Sequence, residues 1–313
     1  MGDAMTTETK IRLVTVAGPT ASGKTALAVA LAKRLNGEVI SADSMQVYAE
    51  PFIGTARPDE SEMDGISHHL LGFLPLSTPY SVAQYATDAH RVIAEVTARG
   101  HLPILCGGTG LYIQAVTENL TFSPEEIHDR CREELKAHAA AVGGEALLAE
   151  LAAIDPETAA RLHPNDEGRI IRALEVYRTT GRTMTEQREL SRALPSPYDH
   201  TLIFLDFRDR AVLYDRIDRR VDEMLRRGLI EEAARLLAAP TAPTAMQAIG
   251  YKELAPYFSG DLSIEQAVDN LKRATRRYAK RQLSWFRRLA EPLYVDDYPD
   301  AASLLEAALT RIL

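Results

Sequence analysis

Two short stretches hold residues whose types and spacing could do chemistry. The first is Gly18-Pro19-Thr20-Ala21-Ser22-Gly23-Lys24-Thr25, a full match to G-x-x-x-x-G-K-[ST]. Its glycines let backbone N–H groups turn inward around phosphate oxygens, and the start of a following helix adds positive potential. Lys24 would bring a point charge to the terminal phosphate, and Thr25 a hydroxyl to a Mg²⁺ ion. The motif names a ligand, a di- or triphosphate, and leaves the reaction open. The second stretch is Ser41-Ala42-Asp43-Ser44-Met45-Gln46-Val47-Tyr48. Its carboxylate, Asp43, suits either a general base that takes a proton from a nucleophile or an ordinary turn aspartate.

The elements around these stretches place them together. Ile11 to Ala17 is a β-branched apolar run, the pattern of a buried parallel strand, and it runs straight into the glycine motif. Ala26 to Leu35 has helical spacing. Val39-Ile40 begins a second strand, and Pro103-Ile104-Leu105-Cys106 forms a third that ends at Gly107-Gly108. Strands alternating with helices predict a parallel sheet, and the C-terminal ends of such strands line one crevice. Asp43 should therefore face the phosphate cradle. From about residue 117 to 198 the pattern is helical, including the Ala/Glu-rich Glu133 to Ala153, and Leu202-Ile203-Phe204-Leu205 resumes the strand pattern. The chain then ends in helices, with a Pro-rich loop near Pro240 and Pro243. The expectation is an α/β protein with a P-loop NTPase-like parallel sheet core flanked by helices. Residues 11–116 and 199–313 would build that core, residues 117–198 an all-helical insertion domain, and residues 1–10 a disordered leader.

Bulk composition narrows the class. The 313 residues are 46% hydrophobic and 26% charged, which is ordinary for a globular protein with a sizeable core. No run approaches the ~18 apolar residues of a membrane span, and the polar start lacks a signal-peptide core. Cys106 and Cys131 form neither a metal spacing nor a disulfide framework, and His68-His69 lacks a third ligand, so no zinc site is expected. A net charge of −8 argues against a protein that coats nucleic acid indiscriminately, so the distribution of charge matters more than its sum. Between Lys272 and Ala290 there is no acidic residue; Lys272, Arg273, Arg276, Arg277, Lys280, Arg281, Arg287 and Arg288 fall on one half of a helix. That stripe suits phosphate contacts. Tyr278 and Trp285 fall on the other half and read as core.

The motifs together closely resemble the bacterial tRNA dimethylallyltransferase (tRNA isopentenyltransferase) family through nearly the whole chain. The likeness rests on Gly18 to Thr25 and Ser41 to Tyr48, then on Gly54-Thr55-Ala56-Arg57-Pro58, His68-His69-Leu70 and Gly107-Gly108-Thr109-Gly110-Leu111-Tyr112. It continues through His163-Pro164-Asn165-Asp166, Arg169 to Glu175, Gln247-Ala248-Ile249-Gly250-Tyr251-Lys252-Glu253 and Arg277-Tyr278-Ala279-Lys280-Arg281-Gln282. The resemblance implies a donor, dimethylallyl diphosphate, and an acceptor, the exocyclic amine of the adenosine just 3′ of the anticodon in tRNAs that read codons starting with U. Gly18 to Thr25 would then grip a leaving diphosphate with Mg²⁺ on Thr25, and Asp43 would take the proton. Thr109 would help hold donor or acceptor. In Tyr214 to Arg220 the pattern Arg-Ile-x-x-Arg offers Arg216 and Arg220 to close over the diphosphate, with Arg220 preferred. The tRNA anticodon stem-loop would meet Asp43, Ser44, Met45 and Gln46; Asn165, Asp166, Glu167, Gly168 and Arg169 in the insertion; Gln247, Gly250 and Lys252; and Arg277, Lys280 and Arg281. A cytoplasmic monomer, without membrane attachment, is the working expectation.

Three rivals share parts of this pattern. A small-molecule kinase would use the same glycine motif, with the insertion as a lid. An RNA-stimulated ATPase would need Leu202 to Asp206 as its metal-binding strand, yet Phe207 and Arg208 follow Asp206 where a water-positioning glutamate would stand. A prenyltransferase of free adenine nucleotides would not need so large an insertion.

Overall fold

The computed structural model describes residues 10–50, 52–122, 129–239 and 249–313. The leader up to residue 9, the prolines at 240 and 243, and Gln247 lie outside the described residues.

Six strands form one sheet: β1 Ile11–Ala17, β2 Gly37–Ser41, β3 His68–His69, β4 Leu102–Gly107, β5 Tyr198–Asp206 and β6 Pro292–Tyr294. Their order is β3-β2-β4-β1-β5-β6, and every pairing is parallel. β1 and β4 are buried over most of their length, which is why they read as unbroken apolar runs. Alternate residues serve opposite faces. Leu13, Ala17, Ile40, Leu105 and Phe204 join one core cluster, while Val14, Val16, Val39, Ile104, Ile203 and Leu205 join the other. The helices Lys24–Leu35 and Ala301–Ile312 cover the second face through Leu27, Leu31, Leu304 and Leu309. The first face is covered by Val82–Ala98, Gly110–Thr117, Arg210–Arg226 and Ile264–Phe286. Capping boxes start two of these, at Ser81 with Gln84 and at Ser263 with Gln266.

Two strands escaped the sequence reading, β3 and β6. Both are edge strands of two and three residues, too short to show a period. The chain therefore does not end in helices alone.

Contacts divide the chain into two units, Met1–Thr117 with Pro197–Leu313, and Glu118–Ser196. The second is helical throughout its regular structure: Asp129–Val142, Gly144–Ile154, Pro156–Ala159, Glu167–Thr180 and Met184–Ala193. It has its own core of Leu135, Leu147, Leu151, Ile170 and Leu174. At its centre the fully buried Glu175 is paired with Arg132 at 2.8 Å and Arg172 at 3.0 Å. Among the described residues no helix is long and apolar enough to cross a membrane.

Candidate active site

Register brings the chemical residues together. Ala17 at the end of β1 pairs with Gly107 at the end of β4, and Ser41 at the end of β2 pairs with Cys106. The glycine motif, the Asp43 turn and the second glycine turn thus leave the sheet side by side. Their spacing is tight: a Cβ at Gly107 would lie 2.1 Å from the Ala42 carbonyl oxygen. The Ala42 N–H donates to the Cys106 carbonyl at 2.8 Å, and the Thr109 N–H to the Ala42 carbonyl at 3.1 Å.

A cavity of about 840 Å³ opens above these ends, lined at one side by Thr20 to Ala26, Ser41, Asp43 to Gln46, Cys106 and Gly107. The glycine motif is wound as a cradle. Ala21 and Gly23 take left-handed φ of 62° and 88°, and the helix begins at Lys24. Ser22 is buried, and its hydroxyl has no hydrogen-bond partner among the described residues. The Lys24 ammonium rests 3.3 Å from the Pro19 carbonyl. Burial, and after it the charge of Arg220, lowers its pKa, against Cys106 and Asp43, which raise it. An anion in the cradle would relieve a buried cation. Cys106 lines the same wall, but burial pushes its thiol up to about 11, so it stays protonated.

Asp43 combines both roles that its type allows. Its Oδ1 accepts the Met45 N–H at 2.9 Å and the Gln46 N–H at 3.4 Å, a side-chain turn that fixes the carboxylate. Its Oδ2 takes no hydrogen bond from the described residues, and Asp43 is part of the cavity lining. Thr109 does not line the cavity. Its Oγ1 accepts the Ser44 N–H at 3.0 Å, which ties the second glycine turn to the residue after Asp43. Arg216 and Arg220 both reach the cavity and neither has an ion-pair partner among the described residues. Arg216 Nε donates to the Ala21 carbonyl at 2.9 Å, on the cradle itself; Arg220 donates to the Ala56 carbonyl at 3.4 Å. Acids near them in sequence are occupied elsewhere: Asp215 by Arg219, Asp222 by Lys272 and Glu223 by Arg226.

Sequence reasoning missed Gln282. It is buried, and its Oε1 accepts the Thr20 N–H at 2.9 Å while its Nε2 donates to the Gly108 carbonyl at 2.9 Å. One amide therefore ties the phosphate cradle to the second glycine turn. Tyr278, read as core, instead lines the cavity. Burial, and after it the charge of Asp43, raises the Tyr278 pKa, so it remains a neutral phenol.

The basic stripe is shorter than its sequence suggests. Lys272 pairs with Asp222, Arg273 with Asp269, Arg276 with Asp218 at 2.6 Å and Arg287 with Asp206 at 2.7 Å. The countercharges come from neighbouring elements or from just before the acid-free window. Arg277, Lys280, Arg281 and Arg288 remain exposed without acidic partners among the described residues. Arg281 also lines the cavity, as do Gly250 and Lys252. Asn165 to Arg169 lie in the helical unit, where Asp166 accepts the His163 N–H at 3.0 Å ahead of the helix Glu167–Thr180.

Two features bear on the rivals and on metal. Asp206, the carboxylate an ATPase would offer to its metal, is fully buried and clamped by both Arg287 and the Phe207 N–H at 2.7 Å. Among the described residues no three of His, Cys, Asp and Glu gather as a metal site. His69 is engaged with Glu38 at 2.5 Å, and His68 with the Ile66 carbonyl at 2.9 Å. Thr25 lines the cavity beside Lys24.

Residues 46–289 match the model of the IPP transferase family. A protein of Halalkalibacterium halodurans named tRNA dimethylallyltransferase is 48% identical over 288 residues, covering 92% of this chain and 91% of its own length. A namesake from a Thermoanaerobacter species is 46% identical over 94% of this chain and 95% of its own. The solved tRNA isopentenylpyrophosphate transferase of Bacillus halodurans superposes with a TM-score of 0.72 at 44% identity, over 97% of both chains. A eukaryotic dimethylallyltransferase solved acting on tRNA gives 0.76 at 31% identity, covering 89% of this chain and 70% of that one. With a cradle, a facing carboxylate and a match across most of its length, the chain belongs to the IPP transferase family.

Proposed function

We propose that this enzyme transfers the dimethylallyl group of dimethylallyl diphosphate to the N6 amine of the adenosine 3′ of the anticodon in tRNA, releasing diphosphate. The observation that carries the reading is one cavity holding both an anion cradle and a carboxylate oxygen without a protein partner. The diphosphate seats on the amides of Ala21 to Thr25, the Ser22 hydroxyl and the Lys24 ammonium, with Arg216 and Arg220 over it. Negative charge grows on that group as its C–O bond breaks, and fixed donors lower the barrier. A Mg²⁺ arriving with the diphosphate would be held by Thr25 and would add charge stabilisation to the leaving group. The adenine amine is a weak nucleophile because its lone pair is delocalised into the ring. Asp43 Oδ2 removes its proton as the N–C bond forms, with Oδ1 held by the turn so that Oδ2 keeps its aim. Adenine must leave its stack to enter, at a cost of a few kcal/mol in a loop. Arg277, Lys280 and Arg281, and Asn165 to Arg169 of the helical unit, are the proposed tRNA contacts. Incubation with labelled dimethylallyl diphosphate, Mg²⁺ and unmodified tRNA, then nucleoside analysis, tests this. Label in N6-modified adenosine is the expected result; label in free nucleotide alone, or none, refutes it.

A further inference from the structure

Glu232 is the least expected carboxylate in this unit. It is 3% exposed and forms no ion pair with Lys or Arg among the described residues. Its Oε2 accepts the N–H groups of Phe52 at 3.0 Å and Ile53 at 2.9 Å; its Oε1 accepts the Gly54 N–H at 2.8 Å and the Tyr251 hydroxyl at 2.8 Å. Three successive amides converging on one carboxylate form a strong, charge-assisted clamp. Tyr251 backs the same segment: a Cβ on Gly54 would lie 2.5 Å from its hydroxyl oxygen. On the other side, Ile53 and Gly54 form cavity wall, joined by Met224, Leu229 and Ile249. Ile53, Met224, Leu229 and Ile249 are apolar lining in a cavity that Arg57 and Lys252 also line. The far end of the segment has a separate anchor, since Gln46 Nε2 donates to the carbonyls of Thr55 and Ala56 at 3.1 Å each. The segment 52–57 is thus hung between two clamps, one next to Asp43 and one at the apolar wall.

We propose that Glu232 and Tyr251 are positioning residues for the hydrocarbon of the donor, holding the Phe52–Gly54 backbone so that Ile53 and Gly54 form the wall against which the prenyl chain packs. The inference rests on the dimethylallyl donor of the proposed function. Diphosphate held in the cradle leaves its hydrocarbon to the remaining cavity, and the apolar wall is what Glu232 fixes. Releasing that clamp shifts the wall while Gln46 keeps the Asp43 end in register.

The test is steady-state kinetics of Glu232→Gln and Tyr251→Phe with dimethylallyl diphosphate and unmodified tRNA, beside inhibition by inorganic diphosphate, which has the same head and no hydrocarbon. The expected result is a donor KM raised about tenfold, as for loss of a bond to a charged group. The kcat and the tRNA KM should stay within about threefold, and the inhibition constant of inorganic diphosphate should not change. Donor KM unchanged in a folded variant overturns the proposal. So does an equal rise in donor KM and diphosphate inhibition constant, which would mean general damage to the site. If Glu232→Gln does not fold, Tyr251→Phe, which deletes a single hydroxyl, decides alone. Wild-type turnover in the same assay separates the two claims. Its absence overturns the functional reading and this inference with it; its presence beside an unchanged KM overturns this inference only.

Discussion

Replacing Gln282 by Met keeps the volume of the side chain and removes both of its hydrogen bonds. The Thr20 N–H and the Gly108 carbonyl then lose the partners they hold at 2.9 Å. Each buried group left unpaired costs about 1–3 kcal/mol. Thr20 and Gln282 border the cavity, where water can enter, so about 1 kcal/mol each, roughly 2 in total, is the reasonable figure. If that loss falls on the aligned state of the two glycine turns, kcat/KM drops about 30-fold. If it also falls on folding, the melting midpoint drops about 4–8 °C. Gln282→Glu should be worse than Gln282→Met, because a carboxylate oxygen would face the Gly108 carbonyl oxygen in place of the donating Nε2. Kinetics well below the midpoint, with thermal melts of both variants, separate the two contributions. If both variants keep kcat/KM within twofold and melt like the wild type, Gln282 does not couple the cradle to the second glycine turn.

Two further predictions concern charge. Arg277→Glu with Lys280→Glu should weaken tRNA binding and flatten its dependence on salt by about one log-log unit per lost phosphate contact, whereas Arg276→Glu, set against Asp218, should chiefly lower stability; binding isotherms at two salt concentrations and urea melts tell these apart. Acid should unfold the protein partly through Glu38, whose carboxyl is held down to about 2, first by its hydrogen bond with Arg99 and then by His69. Its folded pKa lies below the ordinary value near 4.5, so its stabilisation is complete above that value and is lost as pH falls toward 2; the half-exposed Arg99 limits it to about 2 kcal/mol. Glu38→Gln should therefore lower the urea midpoint at pH 7 far more than at pH 3, and equal losses at both would contradict the assignment.

Much of the fold was legible because its signals are local. β1, the glycine motif and the helix after it occupy consecutive residues, and an unbroken apolar run flanked by glycines specifies a buried parallel strand. Asp43 could be placed because strand ends in a parallel sheet share one crevice. What stayed hidden depends on contacts between distant parts of the chain. Gln282 meets Thr20 across 262 positions, and nothing in its neighbours distinguishes it from a surface glutamine of a basic helix. Glu232 looks like any acid in the first turn of a helix until three amides some 180 residues earlier are seen to converge on it. The basic helix misled in the same way, because acids paired with Lys272, Arg276 and Arg287 lie on other elements. Tyr278 was misassigned because helical periodicity separates polar from apolar faces but does not say whether the apolar side meets core or cavity. The resemblance to a family supplied the reaction; the residues alone supplied only an anion site and a carboxylate.

The most direct measurement is single-turnover prenyl transfer by Asp43→Asn, with donor and tRNA saturating and their binding measured separately. The side chain keeps its shape and its Oδ1 acceptor toward Met45, and loses only the capacity to take a proton. A positioned base contributes about 10²–10⁴-fold, so the chemical step should slow by at least about a hundredfold while both ligands bind with near wild-type affinity. A rate within a few-fold of wild type would mean that the adenine amine gives up its proton elsewhere, and that the carboxylate at the end of β2 is only a turn.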